Sequence, residues 1–281
     1  MPSKIPVQLP SGYMEFFSSL ESWQNEQQIK LQAAVDVEKV EEPLRKIAKH
    51  RRPLMITTGL QIDPVLYRQV LDDLLVFLIK QRPDIASNLE IIQKEVPDFN
   101  FPVLIARLIE QDMDYLEQLA HSLKISPELF IFALDHAIRP FLRVYAAHYQ
   151  ADILEHTYQN WDLPTICPIC GSRSHFSRLR AEDGRRFMFC DRCFIEWETR
   201  YLECVHCGND EPGKINYISV ENDTSNQLYT CEKCRGYLKT YDERPSGLPT
   251  DLFLANIQTI YLDLLAEEKG YSNHNNDWSN K

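Results

Sequence analysis

Hydrophobic residues recur every three or four positions through most of the first 160 residues, which is the period of an amphipathic helix. The pattern is clearest after Phe101, where the apolar positions are Leu104, Ile105, Leu108, Ile109, Tyr115, Leu116, Leu119 and Leu123. Asp63–Pro64 and Ser126–Pro127 each place an N-cap residue before a proline at the first helical position. The run after Ser126 is apolar on most sides, and we expect Pro140 to kink or break its helix. This part of the chain therefore predicts a helical bundle.

The helical period is lost after Asn160. Arg186–Phe189 and Tyr217–Val220 have the composition of short β-strands and are bounded by turn-forming residues. Helical periodicity returns from Leu248, and Gly270 is a suitable end for that last helix. A helix of this length is not stable alone in water, so we expect it to pack back on a neighbour, in the first place the N-terminal bundle.

Composition and charge indicate a soluble globular protein, because 44% of the 281 residues are hydrophobic and 25% are charged. The net charge of −11 disfavours a general attraction to nucleic acid or anionic lipid, since both are polyanions. Apolar runs such as Leu74–Ile79 are far shorter than the roughly 20 residues of a membrane-spanning helix. Prolines near the N-terminus interrupt the apolar core that a secretory signal needs. The sequence thus predicts a cytoplasmic protein without membrane insertion.

All eight cysteines belong to four Cys-x-x-Cys pairs between Cys167 and Cys234. The spacing is C-x2-C-x19-C-x2-C, a gap of ten residues, and then C-x2-C-x23-C-x2-C. A secreted disulfide scaffold would spread its cysteines through the domain, whereas paired thiols in a reducing compartment indicate metal or redox chemistry. Gly171 and Gly208 follow second cysteines, where a positive φ suits a tight loop around an ion, and Gly236 is a looser candidate for the fourth loop.

Each half of the cysteine series matches a four-thiolate metal site, because two Cys-x-x-Cys loops can close a tetrahedron around one ion. Pairing neighbours gives one site with Cys167, Cys170, Cys190 and Cys193 and another with Cys204, Cys207, Cys231 and Cys234. An interleaved pairing stays open, although residues 194–203 resemble a strand joining two complete units. Four thiolates suit zinc or a rubredoxin-like iron. With every position taken by protein, structural clips are favoured over electron transfer, and hydrolytic zinc chemistry is disfavoured.

Together these patterns predict an α+β fold, with an N-terminal helical bundle, two tandem rubredoxin-like or zinc-ribbon modules and a C-terminal helix that packs back. The predicted divisions are a helical domain at 1–160, a double metal-binding domain at 161–245, a helix at 246–270 and a polar tail at 271–281.

Other roles for the cysteine region are less favoured. Thioredoxin-like chemistry needs a Cys-x-x-Cys at a helix N-terminus, and these pairs lie between strands. A basic run interleaved with Phe176 and Phe187 suggests nucleic-acid binding, and its members are Arg173, Arg178, Arg180, Arg185 and Arg186. However, eleven basic and eleven acidic residues lie between Cys167 and Tyr241, and two thiolate-bound divalent ions would make the module negative.

His175 and His206 are expected beside the sites rather than as ligands. No nucleotide-binding or nucleophile motif is present, so the sequence predicts no enzyme.

The blocks "CPICGS", "FMFCDRCFIEWETRYLECVHCGN", "YTCEKCRGYLKTYD" and "LPTDLFLANIQTIYLDLLAEEKGY" occur in that order and carry a resemblance to a known family. The region Cys167–Tyr271 resembles the formate dehydrogenase accessory (formation) protein family, FdhE. The helical N-terminal half, including "HAIRPFL" at His136–Leu142, is compatible with the family but less diagnostic.

The resemblance implies a cytoplasmic maturation factor that contacts the catalytic subunit of a molybdenum- or tungsten-dependent formate dehydrogenase. It also implies rubredoxin-like iron binding at the eight cysteines, and the sequence allows a homodimer. A rubredoxin-like electron carrier and a nucleic-acid-binding zinc-ribbon protein stand as alternatives. Reversible absorption changes on reduction would favour the carrier, and binding that weakens steeply with salt would favour the nucleic-acid reader.

Overall fold

A computed structural model of the chain describes residues 9–35, 37, 40, 42–95, 99–221 and 223–274. Its helices are α1 (Tyr13–Ala34), α2 (Pro43–His50), α3 (Leu54–Thr58), α4 (Pro64–Gln81), a 3-10 turn (Pro83–Ile85), α5 (Ala86–Glu95), α6 (Phe101–Glu110), α7 (Met113–Ser122), α8 (Pro127–Ala147), α9 (Gln150–Asn160), α10 (Leu252–Gln258) and α11 (Ile260–Glu268). Its strands are β1 (Phe176–Leu179), β2 (Arg186–Phe189), β3 (Glu196–Thr199), β4 (Ile215–Val220), β5 (Asp223–Cys231) and β6 (Tyr237–Asp242). No helix in these ranges is both long enough and apolar enough to cross a bilayer.

Helix α8 is the centre of the N-terminal bundle and packs against α1, α4, α6 and α7. Both predicted N-caps are confirmed. The Asp63 side chain accepts hydrogen bonds from the Val65 and Leu66 amides, and Ser126 Oγ accepts one from the Leu129 amide. These caps fix where the long helices α4 and α8 begin.

The helical pattern after Phe101 is divided between two helices. Helix α6 ends at Glu110, and its C-cap Gln111 takes a left-handed conformation with φ of 57°. Asp112 then caps α7 by accepting a hydrogen bond from the Tyr115 amide. This local capping signal overrides the continuous apolar period.

Pro140 does not break α8, contrary to one of the two outcomes expected from the sequence. A proline within a helix leaves the carbonyl four residues earlier without its amide partner, and here that carbonyl belongs to His136. Gln24 of α1 supplies the missing donor, because its Nε2 lies 3.0 Å from His136 O. Gln24 is fully buried, so the helix continues through Pro140 with its carbonyl satisfied inside the core.

The six strands form one sheet in the order β3-β2-β1-β6-β5-β4. Neighbours pair antiparallel except β1 and β6, which are parallel, with Phe176 opposite Lys239. The sheet therefore consists of two three-stranded units joined edge to edge. The outer edge of the first unit is closed by α9, since Gln150 exchanges two hydrogen bonds of 3.2 Å with the Glu196 backbone.

The predicted C-terminal helix is divided in two at Thr259. Helix α10 packs back on α1, while α11 lies on β5 and β6. The packing back on the bundle is thus confirmed for α10, and α11 covers the second unit of the sheet instead.

One hydrophobic core runs from the bundle into the sheet, from Leu20 and Leu134 through Ile169 to Trp197 and Leu238. The domain divisions expected from the sequence stay a prediction, and residues 275–281 of the expected tail lie outside the described residues.

Gln24→Ala is expected to lower the free energy of unfolding by about 1–3 kcal/mol, because the buried carbonyl of His136 loses its donor. Urea unfolding measures this loss. Gln28→Ala, half-buried on the same helix, is the matched control and should change stability by less than about 0.5 kcal/mol. Equal effects of the two substitutions would contradict the role given to Gln24.

Candidate metal centres

The first four cysteines converge on one point beneath the bundle. The sulfurs of Cys167, Cys170, Cys190 and Cys193 all lie within 4.8 Å of one another, and all four residues are buried. The Cys167–Cys193 and Cys170–Cys190 sulfur distances are both 3.5 Å. We call this group centre 1.

The other four cysteines form a second group, centre 2, whose sulfurs also lie within 4.8 Å of one another. The Cys204–Cys234 and Cys207–Cys231 sulfur distances are 3.6 and 3.8 Å. Cys207 is exposed and Cys234 is half-buried, so centre 2 reaches the surface where centre 1 does not.

Both groups fit a tetrahedral ion. A zinc–sulfur bond of about 2.3 Å places the sulfurs of a regular tetrahedron about 3.8 Å apart. The observed sulfur distances are within a few tenths of an ångström of that value, and each centre has four soft donors and no other ligand type among the described residues. Each group can therefore hold one metal ion. The cysteines are grouped as consecutive pairing predicts, and the interleaved pairing is not observed.

The four Cys-x-x-Cys loops share one backbone geometry. In each, the amide of the first cysteine donates to the carbonyl five residues later, and its carbonyl accepts from the amide four residues later. The residue four positions after the first cysteine takes a left-handed φ in every loop. These residues are Gly171 (79°), Phe194 (63°), Gly208 (66°) and Arg235 (58°). The predicted positive φ at Gly171 and Gly208 is confirmed.

The fourth loop differs from the expectation for Gly236. Arg235, not Gly236, takes the left-handed conformation. Gly236 is required for space instead, because a Cβ there would lie 2.6 Å from the His206 ring. Its amide donates to Cys234 Sγ at 3.3 Å.

The two non-glycine residues at the left-handed positions each anchor a centre to a helix. Phe194 receives the Arg143 guanidinium of α8 on its ring, 3.4 Å from the centroid, and its ring lies 5.8 Å from that of Phe253 of α10. Arg235 donates to the Lys269 carbonyl at 2.7 Å, at the end of α11, and stacks on Tyr271. These contacts offset the cost of a left-handed conformation, roughly 1–2 kcal/mol for a residue with a Cβ.

Centre 1 is held to the bundle by both of its loops. The amides of Leu54 and Met55, at the start of α3, donate to Pro168 O and Ile169 O at 2.9 and 3.0 Å. From the second loop, Arg192 donates to Asp135 Oδ1 at 2.7 Å and to Leu108 O at 2.7 Å. Centre 1 thus lies at the junction of α3, α6 and α8.

Three charged side chains, Asp135, Arg139 and Arg192, lie together at this junction. Asp135 accepts from Arg192 and also from Arg139 at 2.8 Å. Burial alone would raise the pKa of Asp135, but the two guanidiniums outweigh it and hold the pKa well below its usual value. The carboxylate is therefore ionised at any physiological pH.

The thiols of centre 1 differ in acidity. Burial raises the pKa of the Cys167 and Cys193 thiols well above the usual value. Burial acts on Cys170 in the same direction, but hydrogen bonds from the other three sulfurs outweigh it and lower the Cys170 pKa. An incoming cation must displace the protons of the raised thiols, so its affinity should fall as pH falls.

Most arginines of the basic run around the first hairpin contact aromatic rings or carboxylates of the same sheet region. Arg186 is buried, with its guanidinium 5.2 and 4.5 Å from the ring centroids of Tyr201 and Tyr229. Three of the other arginines pair with carboxylates: Arg178 with Glu196 and Glu243, Arg180 with Asp183, and Arg185 with Asp183 and Glu198. Neither His175 nor His206 belongs to a sulfur group, and His206 Nε2 lies 2.8 Å from Tyr237 O.

Two models of one family match consecutive parts of the chain. "FdhE, central domain" matches residues 166–199 and "FdhE, C-terminal domain" matches residues 202–278. The first match contains centre 1 and the second contains centre 2.

Relatives and a solved structure agree with these matches. A "Protein FdhE homolog" of Aquifex aeolicus is 34% identical over 151 residues, covering 52% of this chain and 50% of that protein. One of Pseudomonas aeruginosa is 30% identical over 155 residues, covering 49% and 48%. The crystal structure of the FdhE protein from Pseudomonas aeruginosa has a TM-score of 0.59 at 20% identity, over 92% of this chain and 86% of that one, so the fold is shared.

A helical bundle fused to a sheet with two four-cysteine groups defines a class of α+β proteins with two candidate metal centres. The chain spans about half the length of the curated relatives it matches. Its cysteine region is similar to the central and C-terminal domains of the FdhE family, as the resemblance of its cysteine blocks predicts.

Gly171→Ala is expected to destabilise the protein more than Gly208→Ala. Both glycines have a positive φ, so alanine costs about 1–2 kcal/mol at either position. At Gly171 a Cβ would also lie 2.8 Å from Pro53 Cγ, whereas at Gly208 its nearest neighbour is 3.6 Å away. Urea unfolding of the two variants measures the difference, and equal losses would contradict the close docking of the first loop on α3.

Cys190→Ser and Cys207→Ser are each expected to lose one equivalent of metal, with different effects on stability. Cys190 lies in the core beside the bundle, so its variant should also unfold at a lower urea concentration. Cys207 is exposed at centre 2, so its variant should leave the unfolding of the bundle nearly unchanged. Metal analysis and urea unfolding followed by circular dichroism, which reports mainly on the helices, test both points. Unchanged metal content in Cys190→Ser would refute centre 1.

Proposed function

We propose that this chain is a non-enzymatic accessory factor in the formation of a molybdenum- or tungsten-dependent formate dehydrogenase. It acts in the cytoplasm by binding the catalytic subunit of that enzyme. The similarity to the FdhE family supports this role, because the central and C-terminal family models match consecutive parts of the chain.

The observation that carries the proposal is the pair of complete four-thiolate groups in a rigid sheet. A catalytic zinc keeps an open position for water or substrate, and neither centre leaves one when an ion is bound by its four sulfurs. The ligands in this proposal are the eight cysteines, with one iron or zinc ion at each centre. The ions stabilise loops that have little core of their own.

Centre 1 joins the sheet to the bundle, so the two parts present one continuous surface. The Arg192–Asp135 pair and the α3 amides hold the bundle against the loops of centre 1. A factor that holds a client needs such a broad, fixed surface more than it needs a catalytic pocket.

Anaerobic binding to the catalytic subunit of a formate dehydrogenase from the same cell tests the proposal. We expect specific binding that is lost when Cys167 and Cys170 are both changed to Ser, because the surface around centre 1 then loosens. Unrelated proteins of similar charge are the control, and light scattering reports whether the factor binds as a homodimer.

No binding of the catalytic subunit by metal-loaded protein would reject the accessory role. Reversible absorption changes on reduction would then favour an electron carrier, and salt-sensitive binding to nucleic acid would favour the zinc-ribbon alternative.

A further inference from the structure

A cleft of about 340 Å³ lies where the bundle meets centre 1. Its walls come from the α6–α7 turn, from α8 and from both loops of centre 1, which contribute Ser172 and Arg192. The volume lies in the range of ligand-binding pockets in proteins. Neither the packing of α8 in the bundle nor a metal ion at centre 1 requires an open cleft between the two.

One wall of the cleft carries a hydrogen-bond donor whose identity follows from the Gln24 network. Gln24 Oε1 lies 2.7 Å from Arg143, which can only donate, so Gln24 Nε2 must be the donating nitrogen. That nitrogen donates to His136 O and lies 2.9 Å from His136 Nδ1. Nδ1 is therefore the acceptor, and the proton of the neutral ring is on Nε2.

The Nε2–H group of His136 faces the cleft. His136 is only 4% exposed and lines the cleft, with Nδ1 turned to Gln24 in the core. No hydrogen bond from the described residues reaches Nε2. Burial, together with the charge of Arg139, lowers the pKa of His136 well below its usual value, which keeps the ring neutral. This N–H group is not among the fully buried polar atoms of the described residues that have no partner, so it is accessible from the cleft, where the acceptor of a ligand can replace water.

Arg139 adds a second donor to the same wall. Its Nε donates to Asp135 and its Nη1 donates to Asp191 O, while Nη2 has no hydrogen-bond partner in the described part of the chain. Apolar side chains border these donors, namely Met113 of α7 and, one turn earlier on α8, Ile131 and Phe132; Met113 is 43% exposed. The cleft thus pairs two donors with an apolar surface.

The charges around the cleft favour a neutral acceptor over a carboxylate. Arg139 and Arg192 balance Asp135 and Glu128 along its lining, and centre 1 behind them would be negative with four thiolates around a divalent ion. A peptide carbonyl satisfies the two donors without adding charge. Glu128 is exposed at the cleft and favours a basic residue in the ligand.

We propose that this cleft binds an extended peptide segment of the partner protein, in which an apolar residue precedes a basic one. The apolar side chain lies on Met113 and Phe132, its carbonyl oxygen accepts from His136 Nε2 and Arg139 Nη2, and the basic side chain lies near Glu128. This inference rests on the accessory role for its partner, the formate dehydrogenase catalytic subunit.

The first test uses nitrogen-15 NMR of the histidines in the metal-loaded full chain. N-acetyl-leucyl-lysinamide is the probe, and N-acetylleucine, a free carboxylate, is the comparison. The free protein should show His136 as the Nε2–H tautomer, and the dipeptide should shift that resonance more than the acid does. A larger shift with the acid, or no shift with either probe, would overturn the proposal.

The second test compares binding of the catalytic subunit by wild type and by the double variant Met113→Gln/Glu128→Lys. Both residues are exposed, so the fold should persist, and binding should weaken at least tenfold. Val76→Gln/Glu90→Lys changes two exposed residues away from the cleft and should bind as wild type.

The two tests separate this inference from the accessory role. Equal binding by the double variant and wild type would overturn the cleft and leave the accessory role standing. If the subunit does not bind wild type at all, the accessory role fails, and the NMR measurement alone decides whether the cleft accepts a peptide.

Discussion

The position of the helical bundle against centre 1 depends on the buried ion pairs of the Asp135 carboxylate. This carboxylate accepts hydrogen bonds from Arg139 on its own helix and from Arg192 in the second loop of centre 1. An ion would fix Cys190 and Cys193 on either side of Arg192, so the position of the metal and that of α8 are set together. Removing one partner of such a buried pair commonly costs about 3–5 kcal/mol, since it leaves a charge unpaired in the core. The same ion pairs fix Arg139 and Arg192 in the lining of the cleft beside α8, so they also hold its shape.

The two centres use the same loop geometry for different purposes. Centre 1 is covered by the bundle, and its left-handed Phe194 lies against Arg143 and Phe253. Centre 2 has an exposed Cys207, and its left-handed Arg235 is fastened to the end of α11. Each non-glycine residue in the left-handed conformation therefore also helps to dock its centre on a neighbouring helix. An ion at centre 1 would be enclosed, whereas an ion at centre 2 would be within reach of solvent and of chelators.

Several features of the fold and of the metal centres could be predicted from short stretches of the sequence. Asp63 and Ser126 act as caps because capping involves only the next three residues, and Cys-x-x-Cys loops are recognisable because both ligands come from one turn. The features that sequence reasoning missed depend on distant partners. Pro140 stays within a helix because Gln24, more than a hundred positions earlier, donates to His136 O. The left-handed Arg235 depends on the carbonyl of Lys269, and no glycine marks it. His136 could have been noticed as a polar residue in an apolar run, but its role needs the Gln24 contact.

The parallel pairing of β1 with β6 has a consequence for the order in which the chain is made. The four cysteines of centre 1 and the α3, α6 and α8 residues that hold its loops have been synthesised by Thr199, the end of β3, whereas β6 is complete only at Asp242. At about 5–20 residues per second, the interval is on the order of 2–9 s. During that time the edge of β1 has no partner strand and is open to pairing with another chain. Early loading of centre 1 would hold the first unit against the nascent bundle through this period, so the supply of metal during translation bears on how much of the protein avoids aggregation.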